Sequence, residues 1–83
     1  MEKSKQKMPL MDIYLASYLV LNRINPELVL EGTRVVFEFP ATKEVYRISR
    51  GFNNNPSVPV LDYVREVRQL RARMIAMKGG INK

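Results

Sequence analysis

The run Ile13 to Leu21 constrains this chain most, because every residue in it except Ser17 is apolar, aromatic or alanine. A strand that apolar needs cover on both faces, and about ten residues is long for a strand in so small a chain. Asp12 stands before the run as an N-cap, and Asn22 to Pro26 supplies a stop. The stretch from Met11 to Leu21 is therefore read as a helix that is hydrophobic nearly all round and packed by other elements on several sides. Ala16 and Ser17 let one neighbour approach closely.

The remaining elements arrange themselves around that helix. Leu28 to Phe39 reads as two strands about a tight turn, with Gly32 supplying the positive φ that a short hairpin loop needs. Val35, Phe37 and Phe39 point to one face and Arg34, Val36 and Glu38 to the other, so the phenylalanines belong to the core and the charged face is wet. An isolated two-stranded hairpin is marginal in water. It must pack on helices or pair with another chain, and its unpaired edge invites strand addition.

Beyond Pro40, Thr42 has the character of an N-cap, and Val45, Ile48 and Phe52 share a helical face. This predicts a short helix from Lys43 to Arg50, closed by Gly51 as a C-cap. Asn53 to Ser57 is a loop. From Val60 to Lys78 the apolar residues Val60, Val64, Val67, Leu70, Met74 and Met77 step by three or four, and Gly79-Gly80 ends the helix. The expected fold is a small single α+β domain in the order helix, β-hairpin, short helix, long C-terminal helix. It spans residues 10–79, with a flexible basic arm at 1–9 and a flexible tail at 80–83.

Composition excludes several chemistries. The 83 residues hold no cysteine and no histidine. That removes disulfides, the usual zinc sites, thiolate nucleophiles and the Ser-His-Asp triad. Asp62 and Glu66 form the close helical acid pair, but arginines flank them as on a solvated face. No glycine-rich phosphate loop occurs. The reading is non-enzymatic, with no cofactor and no metal. The apolar run is diluted by Tyr14, Ser17 and Tyr18, no cleavage site follows it, and it is shorter than the roughly 20 residues a bilayer span takes. A cytoplasmic protein without a membrane partner is expected.

The segments DIYLASYLVL, RVVFEFP and VPVLDYVREVRQLRARM, with the Asp12-x-Tyr14-x-Ala16-x-Tyr18 spacing, resemble a family of small uncharacterised bacterial domains. The resemblance runs from about Met11 to Met77. It implies a compact helix–hairpin–helix–helix domain and carries no functional residues across.

Two binding classes remain. Fourteen Lys and Arg against eight Asp and Glu give a net charge of +6, which favours polyanionic partners. Lys43, Arg47 and Arg50 on the short helix and Arg65, Arg68 and Arg73 on the long one are candidate phosphate contacts; together they would form a basic stripe for nucleic acid. Against it, no helix-turn-helix signal appears, and Tyr14, Tyr18, Tyr46 and Tyr63 read as core-edge residues rather than stacking platforms. The favoured class is a protein-interaction or self-association module, with a protein partner or a homo-oligomer in view. Its candidate patch is Met74, Ile75 and Met77, where methionine suits adaptable contacts.

Overall fold

The computed structural model describes residues 6–79. Its elements run β1 (Lys7–Leu10), α1 (Ile13–Leu21), β2 (Glu27–Glu31), β3 (Arg34–Pro40), α2 (Lys43–Phe52) and α3 (Val60–Gly79). The strands form one antiparallel sheet in the order β1-β3-β2. The expected α+β domain and its helix–hairpin–helix–helix order are present, with one strand more than the sequence suggested.

Local chemistry explains most boundaries. The Asp12 carboxylate accepts from the backbone N–H of Tyr14 at 2.9 Å and of Leu15 at 3.4 Å, capping α1. At the other end, Ile24 N–H donates to Leu19 and Arg23 N–H to Val20, with Arg23 at φ 70. That is a Schellman closure in which arginine holds the left-handed position usually given to glycine. Its apolar pair, Leu19 with Ile24, enters the core. The hairpin loop is Gly32-Thr33 with Gly32 at φ 65, and Glu31 faces Arg34 across it. The Thr42 hydroxyl accepts from Val45 N–H at 3.1 Å to start α2.

The core lies between the sheet and the helices. Phe37, Phe39, Ala16, Leu19, Val45 and Leu70 are buried together, with Met8, Leu10, Leu28, Ile48 and Met74 packed against them. All three helices lie on the Phe37 face. The molecule is accordingly flat, with principal extents of 40 × 38 × 17 Å.

Four expectations are corrected. Residues 7–9, read as part of a flexible arm, belong to β1, which pairs with the second edge of β3 from Lys7↔Pro40 to Leu10↔Phe37. Residues 1–5 of that arm and the tail at 80–83 lie outside the described residues. Gly51 is no C-cap: α2 continues through it to Phe52, whose ring packs against Tyr18, tilted by 45° with centroids 5.3 Å apart, and Asn53 takes the cap. The sheet's open face is not uniformly wet, because Val36 there is only 4% exposed. It lies beside Val29, its register partner, and Arg34 reaches over to hydrogen-bond the Met11 sulfur at 3.3 Å. Finally, α1 is not enclosed all round, since Tyr14 stands out in solvent.

Candidate functional site

The long helix α3 carries two different faces. Val67 and Leu70 are buried, and Met74 packs on the core. A second flank of the helix is exposed. Leu61 is 79% exposed, Val60 66% and Val64 37%, and near the other end Ile75 is 63% exposed. At 3.6 residues per turn these four fall on one flank, and Leu61 and Ile75 are separated by about 21 Å of helix. Arg65, Arg68 and Arg71, all exposed, sit among or beside them.

The expected apolar patch therefore divides. Ile75 belongs to the exposed flank. Met74 is half-buried and packs against the core. Met77 is half-buried and lines a groove on the other side of the helix with Pro26, Glu27, Leu28, Arg73 and Ala76. Val60, Leu61 and Val64 continue the apolar period of α3, and they are the larger part of the exposed surface.

The expected basic stripe also divides. Lys43, Arg47 and Arg50 are exposed on α2 and border a shallow depression of about 670 Å³ with Glu44 and Tyr46. Arg65, Arg68 and Arg73 are exposed on α3. Both helices pack on α1, which lies between them. Arg65 is held by Asp62 of its own helix. Arg73 follows Arg68 by five residues, about 140° round the helix, and faces the β2 groove instead. The basic residues thus form separate groups.

A cleft that sequence reasoning missed lies where α1, α2 and the loop before α3 meet. Tyr18, Phe52, Asn53, Asn55, Pro56, Val58 and Tyr63 line about 410 Å³. Tyr63 and Tyr18 are thus cleft residues. The Tyr63 hydroxyl donates to the Tyr14 carbonyl at 2.8 Å, tying α3 to α1. Burial pushes the Tyr63 phenol above its ordinary value of 10.0, and the nearby Asp12 carboxylate and Tyr14 add to the rise.

The sign of the linkage follows. Below about pH 10 both folded and unfolded chains keep this proton. Above it the unfolded chain ionises first, so Tyr63 costs stability as pH rises, until its folded-state value is passed. Urea midpoints of wild type and Tyr63→Phe, taken between about pH 8 and pH 10.5, should converge as pH rises. A difference independent of pH would contradict the linkage.

Among the described residues there is no group of three or more His, Cys, Asp or Glu able to hold a metal ion. None of their helices is long and apolar enough to cross a membrane. No protein-family model, curated protein or solved structure compared with this chain matches it.

Proposed function

We propose that this chain is a small non-enzymatic binding module that works through protein contacts, with the exposed flank of α3 as its interaction surface. One observation carries the reading: Val60, Leu61, Val64 and Ile75 are all exposed on one flank of one helix. Scattered surface hydrophobes are ordinary, whereas an aligned group marks a contact surface. The aliphatic stems of Arg68 and Arg71 extend the apolar strip while their charges form its rim. A two-fold pairing of α3 with its own copy would bring Arg68 near Arg68, so a partner bearing acidic groups fits better than a homodimer.

The test is the double variant Leu61→Glu with Ile75→Glu. Wild type should associate, either with itself, read as a concentration-dependent mass by light scattering, or with a protein retained from extracts of its own cells. The double variant should lose that association with an unchanged circular-dichroism melt. Association that survives both substitutions would remove the α3 flank from consideration.

Phosphate-backbone binding is the second reading, supported by the exposed trio Lys43, Arg47 and Arg50 around one depression on α2. Its mark would be micromolar binding to duplex DNA or single-stranded RNA that falls steeply with salt and is lost in Arg47→Glu with Arg50→Glu.

A further inference from the structure

The sheet has two edges, and only one of them is blunted. Ala41 N–H donates to the Gln6 carbonyl at 3.2 Å, which extends the β1–β3 ladder and sets its parity. Residues 6, 8 and 10 exchange hydrogen bonds with 41, 39 and 37, so the main chain of Lys7 and Pro9 faces outward. Proline has no N–H to offer there, a common protection of strand edges. By the same alternation, Arg34, Val36 and Glu38 bond to Glu31, Val29 and Glu27 of β2. The N–H and C=O groups of Leu28 and Leu30 therefore point away from the sheet, and no backbone partner meets them among the described residues.

The groove already described runs beside this edge. Pro26, Glu27 and Leu28 form one side and Arg73, Ala76 and Met77 the other of an open, shallow groove of about 640 Å³. Arg73 forms no ion pair among the described residues. We infer that the β2 edge and this groove bind an extended peptide as a fourth strand, with apolar side chains toward α3 and an acidic side chain on Arg73. Leu28 and Leu30 supply main-chain affinity, the Met77 and Ala76 wall seats alternate side chains, and Arg73 selects the charge. A second copy of this chain fits poorly. Antiparallel β2–β2 pairing centred on Val29 would set Glu27 against Glu31 of the other copy at both ends, and like charges directly opposite are destabilising.

This edge shares with the α3 flank only the class of protein binding, on which it rests; the surfaces differ, so either can fail alone. The experiment pans a random decapeptide display library over the full chain. Enriched peptides should carry alternating apolar residues with an Asp or Glu, and should shift the backbone resonances of Leu28 and Leu30. Their affinity should fall about tenfold in Arg73→Gln, the effect of losing one charge-assisted hydrogen bond. It should be unaffected by Leu61→Glu with Ile75→Glu. Leu30→Pro, which removes an outward N–H, should abolish binding.

Because that variant can also lose packing, N-methylated peptides supply the same test on the wild-type chain. Methylation at alternate residues should abolish binding in one register and spare it in the other. No enrichment, equal tolerance of methylation in both registers, or resonance shifts at Leu61 and Ile75 instead would overturn the assignment. So would concentration-dependent shifts of Leu28 and Leu30 without peptide, which would put a second copy at the edge.

Discussion

Phe37→Ala should remove a large part of the stability of this fold. Phe37 is fully buried on the central strand, and its register partners are Leu10 on β1 and Leu28 on β2. It is the one side chain that meets both outer strands while facing the helices. Truncating a buried phenylalanine costs about 3–5 kcal/mol through lost transfer energy and the cavity left behind. A domain of 83 residues has roughly 4–12 kcal/mol in all, at about 0.05–0.15 kcal/mol per residue. A thermal melt followed by circular dichroism should shift down by on the order of 20 °C, or lose its cooperative transition. A shift of only a few degrees would mean that the sheet and helices are not joined through this residue.

What could be read from the sequence was local, and what was missed was mostly a matter of neighbours. Asp12 and Thr42 cap the helices they precede because a carboxylate or hydroxyl there meets orphan N–H groups within three residues. Gly32 closes its hairpin because the turn needs a positive φ, again a strictly local requirement. β1 is different. Lys7, Met8, Pro9 and Leu10 alternate in burial, yet four residues beside a lysine-rich start, with a proline among them, carry little strand signal. That strand exists because β3 has a second edge some thirty residues away. Gly51 failed as a stop because the Phe52 ring finds Tyr18, and contact with another element outweighs a weak local preference.

The candidate sites follow the same division. The basic residues were found as residues, but their grouping depended on α1 standing between two helices. The aromatic cleft and the β2 groove required knowing which loop meets which helix, and no spacing in the chain encodes that. The parity of the sheet, which turns Leu28 and Leu30 outward and puts Pro9 on the protected edge, needed the register.

Leu70→Ala and Leu61→Ala should differ sharply although both leucines lie on one helix, because they stand on opposite sides of it. Leu70 is 2% exposed and belongs to the central cluster, so its truncation should cost about 2–5 kcal/mol. Leu61 is 79% exposed, and its truncation should stay within about 0.5 kcal/mol. Urea midpoints at a constant slope would measure both. Hydrophobic period says which side chains share a flank of α3; it does not say whether anything covers that flank. Nine residues, about half a turn of rotation, separate Leu61 from Leu70, so Leu70 enters the central cluster while Leu61 lies on the side of α3 that nothing in the fold covers. If Leu61→Ala proved as costly as Leu70→Ala, that side of α3 would be covered in the folded chain, and the flank would not be free to receive a partner.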